Sequence, residues 1–196
     1  MQKSDLHRLI VEYRNISGEE IPVIVGSQSI HAITELLPEI ARRSIECDFL
    51  LSVSHFDKRS EIDEKLGVFS EFQQLNGIYA DALGLATVVL PDGWQDRLVP
   101  LLDGTGKVIA FCMEIYDVAS SKFVAGRGKD LEFLEAILNL ELIQIGDFLS
   151  RLDLVKSKVE NDVISERLRR LGNHLSRSDI HIEVVDAIKK YELQQP

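Results

Sequence analysis

Nowhere in this chain of 196 residues does an apolar run approach the roughly 18 to 20 residues that a helical membrane span requires, so no membrane association is expected. The opening stretch, MQKSDLHRLI, is charged and polar rather than secretory in pattern, and a cytoplasmic protein is the expectation. Cysteine is scarce. Cys47 and Cys112 each sit in an apolar, strand-like run, and neither a CxxC pair nor a Cys/His spacing suited to zinc is present. Both are expected to be reduced and structural. Basic residues are also in short supply: 22 Lys and Arg against 32 Asp and Glu leave a formal charge of -10. That balance argues against a nonspecific nucleic-acid binder, which uses excess cations to neutralise phosphates. Local basic clusters remain at Lys122, Arg127 and Lys129, and at Arg167, Arg169 and Arg170, a pattern shared with ordinary solvated helix faces. There is no GxSxG nucleophile elbow, no internal repeat and no low-complexity stretch.

What is present is apolar sequence spread over the whole length, 45% of the residues, with 28% charged, enough for one sizeable core. Leu6, Leu9, Ile10 and Tyr13 fall at helical spacing and stop at Ser17-Gly18. IPVIV (21 to 25) reads as a short buried strand broken by Gly26-Ser27, after which Ile30, Ile33 and Leu37 suggest a short helix ended by Pro38. IECDFLLSV (45 to 53) is a second strand, with Cys47, Phe49, Leu51 and Val53 on one face and Glu46 and Asp48 on the other. Helical spacing is expected between Phe56 and Leu75, one or two strands in 78 to 90, and a short helix from Trp94 to Leu102, with Trp94 read as a packing anchor. KVIAFCMEI (107 to 115) is a strand, and the remainder is helical, with Asp117 as a cap, Gly126 and Gly128 as interruptions, and Ser178 or Asp179 capping the last helix. Strands early and helices late predict an α/β (α+β) architecture: a mixed sheet with packed helices, then a helical C-terminal extension.

Two local features carry possible chemistry. Gly26-Ser27 ends a strand and opens a helix, where backbone N–H groups and the helix's positive end can receive a phosphate; the same pair also makes an ordinary tight turn. Glu46 and Asp48, two apart on one strand, project from one face. Paired carboxylates on a rigid strand suit Mg²⁺, although a solvated acidic strand edge has the same pattern. His31 is read as a polar surface or supporting residue.

VIVGSQSIHA followed by SIECDFLL resembles the first motif of the DNA polymerase β-like nucleotidyltransferase superfamily, a strand-Gly-Ser-helix unit before a strand bearing Asp-x-Asp. More closely, GSQSIHA, IYADALGLATVVLPDGWQDRLV and DVASSKFVAGRGKDLEFLEAIL together resemble a family of bacterial nucleotidyltransferase-like proteins related to AbiEii-type toxins. The resemblance covers residues 1 to 152, leaving 153 to 196 as the helical extension. It implies that Gly26 and Ser27 meet a nucleoside triphosphate and that Glu46 and Asp48 hold Mg²⁺. It further implies that Asp81 completes the metal site or takes a proton from the attacking hydroxyl. Lys122, Lys129 and Asp130 match positions where relatives place nucleotide- or acceptor-binding groups. Two departures stand out: the first acid is Glu46 rather than Asp, and the interval from Ser27 to Glu46 is long.

The function implied is Mg²⁺-dependent transfer of a nucleoside monophosphate to a hydroxyl of an RNA such as tRNA, a protein or a small molecule. The setting implied is the toxin of a toxin-antitoxin or phage-defence pair with an antitoxin-like partner. The alternative is a catalytically lapsed binding module of the same fold in a two-protein system.

Overall fold

A computed structural model describes residues 1–177 and 182–193 and divides the chain into two units. Met1–Val88 and Trp94–Glu114 form the first; Val89–Gly93 and the described residues from Ile115 onward form the second. The expected cap at Ser178 or Asp179 lies outside the described residues. Among the described residues no helix is long and apolar enough to cross a membrane.

The first unit is a five-stranded mixed sheet of order β3-β2-β1-β5-β4. Its strands are β1 (Val23–Ile24), β2 (Glu46–Leu50), β3 (Tyr79–Leu83), β4 (Val99–Leu102) and β5 (Val108–Cys112). The three segments expected to share a sheet do so: β1 lies between β2, antiparallel, and β5, parallel. Helix α1 (Lys3–Ser17) ends where Gly18, at φ 77°, donates its N–H to the Arg14 carbonyl, a left-handed termination that glycine adopts without strain. Its buried stripe of Leu6, Leu9, Ile10 and Tyr13 packs on Ile24, Cys47, Phe49, Ala80, Ala82, Ala110 and Cys112. The Tyr13 and Phe49 rings stack with centroids 4.0 Å apart. One sheet face is thereby committed to the core, and alternation sends Glu46, Asp48 and Leu50 to the other.

Several local expectations are corrected. The helical stretch from Phe56 to Leu75 is two helices, α3 (Arg59–Leu66) and α4 (Glu71–Asn76). They are parted by Gly67–Ser70, where Ser70 caps α4 by accepting from the Gln73 N–H at 3.1 Å. Val53 is not part of the β2 core face; it lies in a 3-10 turn (Val53–Lys58) and is 81% exposed. Of residues 78 to 90 only β3 is strand. Trp94 to Leu102 is not a helix: a 3-10 turn at Trp94–Arg97 leads directly into β4, which pairs antiparallel with β5 across the Asp103-Gly104-Thr105-Gly106 turn. Asp103 organises that turn by accepting from the Thr105 and Lys107 N–H groups at 2.8 and 3.0 Å. Pro38 starts rather than ends a helix, preceding α2 (Glu39–Arg43), a position that uses its fixed φ and missing donor.

The second unit is built from α5 (Ile115–Ala125), α6 (Gly128–Asn139), α7 (Ile145–Leu152), α8 (Asn161–Leu175) and α9 (Ile182–Glu192). Helix α5 is central, packing on α6, α7 and α8, with Phe123 meeting the Phe148 ring edge-on at 5.8 Å. Asp117 is not a cap; it lies inside α5, fully buried, and forms an ion pair with Arg151 of α7. Gly126, at φ 60°, breaks α5 from α6, and a side chain there would run into Arg167, whose Nε donates to the Val124 carbonyl at 3.1 Å.

Candidate functional site

The chain leaves β1 through Val25, whose N–H donates to the Asp48 carbonyl at 3.0 Å and so extends the β1–β2 ladder to the glycine. Residues Ser27–Ala32 then form the short helix expected there, as six residues of 3-10 helix with Gly26 at its N-cap. So short a helix carries little macrodipole; what the turn offers an anion is its backbone N–H groups. Its other polar groups serve the fold. Ser29 Oγ donates to the Ile24 carbonyl at 2.8 Å, and Gln28 Nε2 donates to the Ala41 carbonyl at 3.1 Å. Ser27 is buried at the turn itself.

Gly26 has an extended backbone, φ -95° and ψ -157°, that any residue can adopt. Its requirement for glycine comes from elsewhere: a Cβ at this position would lie 1.6 Å from Asp48 Oδ2. The missing side chain lets the Asp48 carboxylate stand against the Gly-Ser turn. On the other side of β2, β3 runs parallel with Asp48 in register with Asp81 and Glu46 with Tyr79. Adjacent strands are about 4.8 Å apart, so Asp48 and Asp81 are neighbours on the face opposite the core. Within the first unit the structure thus brings Gly26, Ser27, Asp48 and Asp81 into one patch, with Glu46 two residues along β2.

Tyr79 is a member that the sequence did not reveal. Its hydroxyl donates to Glu46 Oε2 at 2.8 Å, fixing that carboxylate. Burial first, then Glu46, Asp81 and Asp48, push the Tyr79 phenol well above its ordinary range. Glu46, Asp81 and Asp48 thus all lie close enough to Tyr79 to act on its hydroxyl. Only the β2–β3 pairing creates this neighbourhood, and no local spacing in the sequence encodes it.

The donor set is one that Mg²⁺ uses. Among the described residues no three His, Cys, Asp or Glu side chains form a ready-made metal cage. Mg²⁺ does not require one, since it commonly binds through one or two carboxylates and completes its shell with water and substrate phosphate oxygens. Asp48 beside Asp81 is a pair of that kind, with the Asp48 carboxylate seated in the space that the missing Gly26 side chain leaves.

The remaining expected residues lie in the second unit. Lys122, expected as a phosphate-binding residue, is buried; its Nζ is 3.1 Å from Asp130 Oδ1 and lies over the Phe133 ring. Asp130 is fully buried at the start of α6, where its Oδ2 accepts from the Arg127 backbone N–H at 3.1 Å and from Arg127 Nε at 2.7 Å. Burial works against the Asp130 charge, but Arg127 and Lys122 outweigh it and hold the carboxyl below its ordinary range. Lys129 is exposed on the first turn of α6. Lys122→Met should accordingly lower stability by about 2 kcal/mol by removing a charged partner from buried Asp130, measurable by urea unfolding. An unchanged midpoint would contradict this structural role.

The chain matches, over residues 4–171, a family described as nucleotidyltransferase of unknown function (DUF6036). It belongs to that family. No curated protein and no solved structure matches the chain. For a nucleotidyltransferase family, the acidic patch on β2 and β3 beside a Gly-Ser turn is the arrangement with evident chemical use.

His31 belongs to the framework behind this turn. It is 5% exposed, and its Nε2 is 3.2 Å from Gln28 Oε1, so of the two expectations for it the supporting residue holds and the surface residue does not. Burial, followed by the nearby N-terminal ammonium, lowers its pKa from 6.5 to about 4. The folded state therefore binds this proton more weakly than the unfolded state does. The stabilisation is complete above pH 6.5 and is lost as pH falls toward 4, by about 3 kcal/mol in all. Unfolding free energies of wild type and His31→Gln should diverge in pH dependence across that window; parallel profiles would show that His31 does not carry the effect.

Proposed function

We propose that the protein is a Mg²⁺-dependent nucleotidyltransferase that moves a nucleoside monophosphate from a triphosphate to an acceptor hydroxyl. The observation that carries this reading is the register pairing of Asp48 with Asp81 beside a glycine whose Cβ would collide with the Asp48 carboxylate. Asp48 and Asp81 would hold Mg²⁺, with Glu46 as the further ligand on the same face. Bound there, Mg²⁺ would supply charge neutralisation for the phosphates and the departing group. Gly26 and Ser27 would take phosphate oxygens on backbone N–H groups and the Ser27 hydroxyl. The acceptor oxygen forms a bond to the α-phosphorus while the bond from that phosphorus to the α,β-bridging oxygen breaks. Pyrophosphate leaves, and Asp81 would take the hydroxyl proton.

The acceptor follows from resemblance alone: an RNA, tRNA foremost, or else a protein or a small molecule. In the same reading the protein is the toxin of a two-protein defence pair related to AbiEii-type systems, with an antitoxin-like partner. Lys122, Lys129 and Asp130, which the resemblance implies as nucleotide- or acceptor-binding, belong to the second unit, where Lys122 and Asp130 also stabilise the α6 start. The test is incubation of the purified protein with each of the four α-labelled triphosphates, Mg²⁺, and tRNA, total protein or small hydroxyl compounds in turn. Covalent label in one acceptor class, lost on chelation, supports the proposal; label in none contradicts it.

A second reading is favoured by one contact. The Tyr79 hydroxyl engages Glu46, the residue that replaces the usual Asp, and this suits a module that binds nucleotide without transferring it. Saturable calorimetric binding of a triphosphate together with no transfer to any acceptor would select that reading.

A further inference from the structure

We propose that an apolar pocket at the Val23/Leu50 end of the sheet seats the base of the donor nucleotide, a purine stacked on Trp94. This rests on the nucleotidyltransferase reading above. The cavity measures about 490 Å³, within the roughly 300–1,000 Å³ typical of small-molecule sites. Ile21, Val23, Leu50, Val53, Leu85 and Trp94 supply its apolar lining. Three of these large aliphatics are unusually bare: Ile21 is 40% exposed, Leu85 50% and Val53 81%. Exposed aliphatics gathered at one concavity mark a binding surface rather than scattered surface residues.

Position and charge choose the occupant. Val23 and Leu50 are register partners, and Leu50 follows Asp48 by two residues on the same strand face. The pocket floor therefore begins two residues, about 7 Å, along the β2 backbone from Asp48. That span is comparable to the ribose separating a nucleotide's α-phosphate from its base. Two carboxylates stand on the pocket wall: Glu19, which accepts from the Ser52 N–H at 3.0 Å and the Tyr13 hydroxyl at 3.3 Å with His55 Nδ1 3.7 Å away, and exposed Glu20 beside it. Exposed Glu20 favours a neutral ring bearing an amino group, for which a carboxylate is the acceptor. Half-buried Trp94 offers the stacking surface, and Gln95 next to it can both donate and accept. The large apolar area favours a two-ring purine over a pyrimidine.

Trp94 is the only tryptophan in the chain, so its fluorescence reports this pocket directly. With Mg²⁺ present, ATP or GTP should quench the emission saturably, UTP should do so weakly, and inorganic tripolyphosphate should leave it unchanged. Trp94→Ala should weaken ATP and GTP binding by about tenfold in calorimetry, and Trp94→Phe should restore most of it by keeping a stacking ring. Calorimetric binding of ATP and GTP with no change in emission, or with equal affinity for Trp94→Ala, overturns the base-pocket proposal and leaves nucleotidyl transfer standing. Equal quenching by tripolyphosphate also overturns it. Failure of every triphosphate to bind overturns both readings together.

Discussion

Asp48→Asn should reduce Mg²⁺-dependent nucleotidyl transfer by two or more orders of magnitude, on the order of what removing a preorganised charge from a reaction centre costs. The protein should stay folded. Asp48 is half-buried on the sheet face away from the α1 core, and Asn preserves its size and the β2–β3 pairing. The thermal midpoint without Mg²⁺ should therefore change little. Added Mg²⁺ should raise the wild-type midpoint and leave that of Asp48→Asn where it was. Full Mg²⁺-dependent activity in Asp48→Asn would place the chemistry elsewhere.

Gly26→Ala should be nearly as damaging to activity, and for a different reason. The added methyl would occupy the space of Asp48 Oδ2, so the carboxylate must swing away from the Gly-Ser turn. Alanine adopts the observed φ and ψ without strain, which makes the loss one of geometry at the site rather than of backbone freedom. A transfer rate reduced by about a hundredfold, with a stability loss of about 1–3 kcal/mol for the overpacked contact, is expected from kinetics and urea titration. The double variant Gly26→Ala with Asp48→Asn should be little slower than either alone, because both act through one carboxylate. Additive losses would show that Gly26 acts separately from Asp48.

These two residues also mark how far the sequence could be read. The strands around 21–25, 45–53 and 107–115 were legible because their runs of Val, Ile, Leu and Phe demand burial, and all three share the sheet. The outward placement of Glu46 and Asp48 followed from alternation alone. The reason for glycine at position 26 was not legible, since the atom that requires it belongs to a residue 22 positions later on an antiparallel neighbour. Nor was the pairing of Asp81 with Asp48, because parallel register is set by how α3 and α4 return the chain, not by any local pattern. Trp94 to Leu102 misled because helical spacing in a short apolar stretch also fits a turn followed by a strand, and the β5 partner decided the outcome. Lys122 shows the same limit: a lysine on an apolar helix face was visible in the sequence, but its ion pair with Asp130 on the next helix was not.

The distribution of label between the ends of the triphosphate tests nucleotidyl transfer most directly. Wild-type protein, Mg²⁺ and the acceptor class that accepts label are incubated in parallel with α-labelled and γ-labelled triphosphate. The account predicts covalent α-label in the acceptor and all released γ-label in pyrophosphate, in equal amounts and both abolished in Asp48→Asn. Gamma-label in the acceptor, or release of inorganic phosphate with no α-label transferred, would contradict it.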